Sequence, residues 1–433
     1  MHMLELLKKV YPLRLAPVSP DADKAVEMLK KELPFKVHEF KSGGEHNGWV
    51  VPQKWEVIKA EIRKGGSLIY DGKGHPLGVM GYAKSFKGKV SSDELKKHLT
   101  YRKDHPDAIG YHCDYYYKHW KSDWGFSIPY NLYKKLEEGD YDIDLQTSFE
   151  DGTMKVCDFF LPGRNKDTII FNAHNCHAGQ ANDDISGAVV GVEVMKRLSN
   201  KKNRYSYRLM VAPEHLGTVF YLANTPKALT DTFKFCLFLE MMGNDNRIAL
   251  QKSFTGKSLI DEASEHYLRH NFPDFTSVKF RAFPGNDETV WESPGYEIPT
   301  ISLSRWPYDE YHTSLDNTDI IKPGKLENSV DIVLGIIDII ENNYFLQRKF
   351  KGLIALSNPK YDLYISPGTD PSISIEATEE RRKWNYLMDC LPRYFDKETS
   401  VLDIAIKHGI EFKDIHKYLL KFKEKRLVKF ISD

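Results

Sequence analysis

Paired cysteines, long apolar runs and a charge imbalance are all missing from this 433-residue chain. Its five cysteines, Cys113, Cys157, Cys176, Cys236 and Cys390, are odd in number and never spaced Cys-x-x-Cys. That is no disulfide framework, and it fits a reducing compartment. No stretch approaches the ~20 apolar residues of a membrane span. The first fifteen residues lack a basic flank, a continuous apolar core and a small-residue cleavage site, and read as a short amphipathic helix. A cytoplasmic protein without a membrane partner is expected. Sixty-one basic residues balance sixty-one acidic ones, so no net field draws in nucleic acid. Internal repeats and low-complexity segments are absent as well.

What is present is enough chain for two or three domains. Hydrophobic content of 41% and charged content of 28% are ordinary for a globular protein. Residues 20–33 read as a helix and 35–40 as a strand. From 50 to 140, short apolar runs separated by Gly-rich turns have the texture of a small β-rich module. Within it, Tyr111, Tyr115, Tyr116, Tyr117, Trp120, Trp124, Phe126 and Tyr130 crowd together, with packing the first explanation and a substrate platform the second. Beyond 143 the pattern turns α/β. Residues 143–149 and 153–161 flank Asp151-Gly152, a hairpin signal. Strands are expected at 168–173, 207–212, 235–239, 278–283 and 300–303, and helices at 187–198, 216–223, 259–270 and 326–344. This alternation predicts a mixed, mostly parallel sheet flanked by helices. Three short helices (384–391, 401–408, 412–423) and a strand (427–431) outline a winged helix. The expected domains are 1–48 with 143–350, an insert at 49–142, and a tail at 351–433.

Acids and histidines fall where these strands end. His174 closes one strand, and Asp183 and Asp184 sit in the loop before the next helix. Glu214 and His215 follow a second strand, Glu240 a third, and His312 lies in the loop after a fourth. Open α/β sheets bind their ligands at the carboxyl ends of strands, so a metal centre could assemble there.

These segments resemble the co-catalytic dizinc aminopeptidases, a superfamily that also holds glutamate carboxypeptidases and glutaminyl cyclases. Ala173-His174 resembles the strand-end first histidine. Asn182-Asp183-Asp184-Ile185-Ser186-Gly187 is similar to the Asn-Asp-Asp-x-Ser-Gly signature, Glu214-His215-Leu216-Gly217 to Glu-Glu-x-Gly, Leu239-Glu240-Met241 to Leu-Asp-Met, and Tyr311-His312 to the last histidine. The resemblance covers roughly residues 1–45 and 143–350. With the insert, His215 and the tail, it narrows to one bacterial aminopeptidase-like family, often associated with surface-polysaccharide biosynthesis.

The resemblance implies one or two zinc ions per chain, one held by His174, Asp183 and Glu240 and the other by Asp183, His215 and His312. It implies Glu214 as general base and Asp184 as the residue that orients a ligand histidine and supports an unusual backbone geometry. A small peptide or other amide-bearing molecule is the implied substrate. Three residues depart from the pattern: His215 and Glu240 replace a carboxylate and an aspartate, and Cys176 stands where an orienting acid belongs. The first exchange makes the site more positive, since two zinc ions would face only Asp183 and Glu240.

Other signals are read as subordinate. His177, three residues after His174 in a loop, is read beside the ligands or on the surface, with direct metal contact the lesser alternative, and Cys176 is not assigned a covalent role. Asp287-Glu288 is read as structural or substrate-side, with a ligand role the lesser alternative. Arg305, Trp306 and Tyr308 line the pocket or lie in a solvated loop. Helix 412–423 carries Lys413, Lys417, Lys421 and Lys423 without arginine, the commonest reader of guanine edges, so docking or oligomerisation is preferred to DNA binding. A homo-oligomer is left open. The competing function is a retired metal-binding scaffold that uses the tail for protein or nucleic-acid contacts.

Overall fold

The computed structural model describes residues 2–284, 286–365 and 375–432. It divides into two units, Met1–Ser258 with Thr276–Asp331, and Leu259–Phe275 with Ile332–Asp433. Among the described residues no helix is long and apolar enough to cross a membrane.

The first unit is built on an eight-stranded mixed sheet. Its strands are β1 (Lys36–Lys41), β2 (Thr153–Leu161), β3 (Thr168–His174), β4 (Ser206–Ala212), β5 (Phe233–Leu239), β6 (Ala249–Gln251), β7 (Thr276–Val278) and β8 (Thr300–Ser304), in the order β1-β2-β4-β3-β5-β8-β6-β7. The central run β4-β3-β5-β8 is parallel, so its carboxyl ends share one edge. Every residue of β3 and β4 is buried, as both-face coverage requires of unbroken apolar strands. Alternation along β4 shows the two faces. Leu209 meets Gly191 of helix Gly187–Ser199, while Met210 and Ala212 join the cluster of Tyr221 and Leu222 from helix Leu216–Ala223. Val190, Val194 and Leu198 bury the first helix against the sheet, each contributing roughly 1.5–3 kcal/mol.

The insert folds into its own antiparallel sheet, in the order 67–71, 54–64, 140–150, 86–91. Trp55, Tyr116, Phe126, Tyr141 and Leu145 fill its core. Two expected local features give way here. The strand 140–150 pairs with 54–64 and 86–91, whereas 153–161 pairs with β1 and β4. Asp151-Gly152 thus carries the chain between sheets and makes no hairpin. Gly152 fits the crossing because a Cβ there would lie 2.8 Å from that of Lys54. The strand expected at 278–283 ends at Val278, since the chain turns away through Arg281 at φ +60.

In the second unit, Phe345–Arg348 is the central strand of an antiparallel sheet flanked by Asp396–Ser400 and Val428–Ile431. Helices Val401–His408 and Phe412–Glu424 bury Leu402, Ile404, Ile415, Leu419 and Phe422. Ser400 and Asp403 form a reciprocal cap at the first helix, and Gly409 closes it in the left-handed conformation. The sheet therefore takes a strand from upstream of residue 351.

Candidate metal centre

The parallel strands bring their terminal polar residues to one place. His174 is the last residue of β3, Glu240 follows β5 directly, Glu214 and His215 follow β4, and His312 lies beyond β8. Three non-glycine residues here have left-handed backbone: His215 (φ +53), Met241 (φ +53) and His312 (φ +56). Such conformations cost energy and cluster at functional sites.

A hydrogen-bonded frame fixes the segments. Asp184 accepts from the backbone N–H groups of His174 (3.1 Å), Gly187 (2.9 Å) and Met241 (3.2 Å). It thus ties β3, the following helix and the end of β5 together through their backbones. The Asp183–Asp184 peptide is cis. Gly187 is required at this junction, where a Cβ would lie 2.1 Å from the Leu239 carbonyl oxygen. Asn182 and Ser186 accept from Gly243 and Met242 at 2.9 and 2.7 Å. Asp316 accepts from the backbone of Asn182 and Asp183 and from the Tyr308 hydroxyl at 2.6, 3.1 and 2.8 Å. The signature loop is thereby held from both sides.

Inside this frame stand polar atoms with no hydrogen-bond partner: both ring nitrogens of His174, Oδ2 of Asp183, Nδ1 of His215 and Nε2 of His312. Unpartnered buried polar atoms are rare and need an explanation. His174 Nε2 lies 3.1 Å from one Asp183 oxygen, and His312 Nε2 lies 3.1 Å from the other. Ligands of a tetrahedral zinc, at about 2.0–2.2 Å from the ion, stand at about this separation from each other. His174, Asp183 and Glu240 each offer an atom within 4.8 Å of the other two, and so do His177, Asp183 and His312. The donor set of imidazoles and carboxylates suits zinc.

Electrostatics favours a cation. Burial disfavours charge on His174, yet its contacts with Asp183 and Asp184 outweigh burial and raise its pKa well above the ordinary value. A field that holds a proton there would also hold a metal ion. Burial, then Glu288 and Asp183, pushes Glu240 well above the carboxylate range. Glu240 is braced by Asn286, which donates to Oε2 at 2.7 Å, and by Ser302, which donates to Oε1 at 2.8 Å. Burial works against the charge on Glu214, but His177, His215, His174 and the Tyr117 hydroxyl together keep its pKa below the ordinary value. A carboxylate kept ionised can accept a proton. Burial drives His177 down to about 4, leaving a neutral imidazole.

Of the sequence-predicted ligands, Asp183 belongs to two groups, one with His174 and Glu240 and one with His312. The second also contains His177, which forms a further group with His174 and Cys176, and His215 is in none of the three. The His215 backbone N–H donates to Asp287 Oδ1 at 2.6 Å, and its ring lies among Trp49, Tyr117 and Glu214. Cys176 is buried and accepts from the Glu214 backbone at 3.2 Å. Arg305 does not line the pocket. It is 2% exposed and donates to Met242 O, Asn246 O and Asn328 Oδ1, so its charge braces backbone around the site.

The insert supplies two groups that residue-type reasoning left among the packing aromatics. Tyr117 donates its hydroxyl to Glu214 Oε2 at 2.8 Å. Tyr111 packs against the rings of both His177 and His312, at 4.8 and 4.9 Å between centroids, and donates its N–H to His312 O. Gly110 bridges to Thr313, and Ser314 donates to Ile109 O. The aromatic crowding at 111–130 was the available signal; nothing in it singled out these two rings. Asp316, Asn286 and Ser302 carried no signal, because their roles depend on loop conformation.

The chain is 30% identical over 423 residues, covering 96% of its length and 93% of the relative, to a Clostridium acetobutylicum protein provisionally named a polysaccharide biosynthesis protein with an aminopeptidase-like domain. A crystal structure from Clostridium acetobutylicum, provisionally named a peptidase, matches with a TM-score of 0.85 at 27% identity, over 99% of this chain and 96% of that one. BSAP, a zinc aminopeptidase from Bacillus subtilis, matches with a TM-score of 0.56 at 12% identity, over 77% of this chain and 92% of that one. The last likeness concerns the fold alone, an aminopeptidase-like mixed sheet flanked by helices. With a family model, described as a domain of unknown function, matching residues 4–343, the chain belongs to the DUF4910 family.

Proposed function

We propose that this protein is a zinc-dependent hydrolase of an amide bond in a small substrate. The observation that carries the reading is the buried Asp183 carboxylate, flanked at 3.1 Å by one imidazole nitrogen on each oxygen, with no hydrogen bond formed. His174, Asp183 and Glu240 would hold one ion, and Asp183 with His312 would share in holding a second. Bound zinc supplies Lewis acidity and lowers the pKa of water toward neutrality. Glu214, ionised and steered by Tyr117, takes a proton from the attacking water and returns one to the leaving amine. Asp184 positions His174 through its backbone. Tyr111 and Trp49 wall the approach and favour a compact substrate over a long peptide. The name of the Clostridium relative supports a substrate from polysaccharide biosynthesis. A retired scaffold is the weaker reading, since it has no use for a base held beside the ligands. The tail we read as a winged-helix docking module.

Zinc-loaded protein assayed against amino-acid anilides and N-acyl amino sugars tests this. Turnover is expected for one class, lowered roughly 100- to 10,000-fold in Glu214→Gln with zinc content unchanged. Full activity in that variant would remove Glu214 from the mechanism, and no turnover by any zinc-loaded sample would remove the hydrolase.

A further inference from the structure

Resting on the zinc reading above, we propose that His177, and not His215, completes the second ion's site with Asp183 and His312, which leaves His215 facing substrate. Three observations converge. His177, Asp183 and His312 each offer a ligand atom within 4.8 Å of the other two, and no such group around Asp183 includes His215. Tyr111 lies against the rings of both His177 and His312, whose centroids are 5.6 Å apart, so the two imidazoles face one another beside one tyrosine. On its other side the His177 ring rests on Cys176, with Sγ 3.4 Å from Nδ1. That contact leaves Nε2, which lies 3.5 Å from Glu214 Oε2, as the nitrogen to turn toward an ion, the reciprocal arrangement usual for ligand histidines.

His215 is pinned elsewhere. Its backbone is fixed at φ +53 by the bond to Asp287, and Asp287 is held in turn by Thr218 at 2.7 Å. The ring packs against Trp49 and Tyr117, at 5.8 and 5.9 Å between centroids, with Nε2 3.7 Å from Glu214 Oε1. An imidazole beside the base, partly exposed and flanked by two aromatic rings, is placed to donate a hydrogen bond to the substrate acyl or amine group.

The test uses the full-length chain, stripped with chelator and reloaded with zinc, and reads metal content by mass spectrometry. Wild type is expected to hold two ions. His177→Ala is expected to weaken the second at least about 100-fold, a stronger effect than the loss of an outer-shell partner; His215→Ala is expected to keep both and lose turnover. His177→Gln and circular dichroism separate ligand loss from misfolding. Cobalt loading gives an independent readout, since only the His177 variants should lose the absorption of the second ion. Two ions in His177→Ala, loss of one in His215→Ala, or fewer than two in wild type would each overturn the assignment. Two ions in wild type without turnover of any amide would count against the hydrolase alone.

Discussion

The two ligand clusters share Asp183 but are built by different means. His174 and Glu240 stand at the ends of adjacent buried strands, and both Glu240 oxygens already accept hydrogen bonds from Asn286 and Ser302. His177 and His312 ride on loops, and the His312 side chain is 25% exposed. Their rigidity is borrowed: Tyr311 stacks on His312 at 3.8 Å, and Tyr111 of the insert packs on both rings. On the proposed zinc reading, the difference teaches that the sheet edge would fix one ion, whereas the second would depend on an inserted module. Unequal affinity for the two ions would follow.

The sharpest way to break this contrast is Asp183→Asn. With the shared carboxylate gone, both positions should lose zinc by mass spectrometry and turnover should vanish; a variant that still holds one ion tightly would mean the clusters are independent. Chelator titration of wild type comes next. The loop-built position should empty at least about tenfold earlier, giving two separate transitions in zinc content, and simultaneous release would erase the distinction. Ser302→Ala should lower affinity at the strand-built position alone by about 10-fold, read as convergence of those two transitions. Tyr117→Phe should have the smallest effect, less than about tenfold in kcat/KM. Its hydroxyl donates to ionised Glu214 and helps lower that pKa. Removing it raises the pKa, so the acidic limb of the pH profile should move to higher pH; an unmoved limb would deny Tyr117 this role.

Much of the strand-built half was legible in the residues themselves. His174 and Glu240 interrupt apolar runs at their ends, and a buried parallel strand leaves a polar residue nowhere else to go. Asn182, Ser186 and Gly187 were legible through their spacing, and the frame gives the reason: two hydrogen-bonding side chains and a contact that tolerates no Cβ. The loop-built half was obscured. Both His177 and His215 follow a strand end by a few residues, and the turn at 213–215 with its bond to Asp287, which sets His215 apart from the groups around Asp183, is not written in their spacing. Tyr117 was hidden for another reason. Eight aromatic rings within twenty residues look alike in sequence, and burial in the insert sorts Tyr116 into a core while Tyr117 reaches Glu214. Asp151-Gly152 misled because an Asp-Gly turn reports local curvature and not which sheet receives the next strand.

The short pairing between residues 109–111 and 312–314 has a consequence for how such a protein could arise or be re-engineered. An accessory cassette can be cut out and the remainder left to work. Here excision of 49–142 would also release the segment that packs on His177 and His312, together with the tyrosine that donates to Glu214. Simple deletion would disturb the proposed centre, because module and centre are one mechanical part.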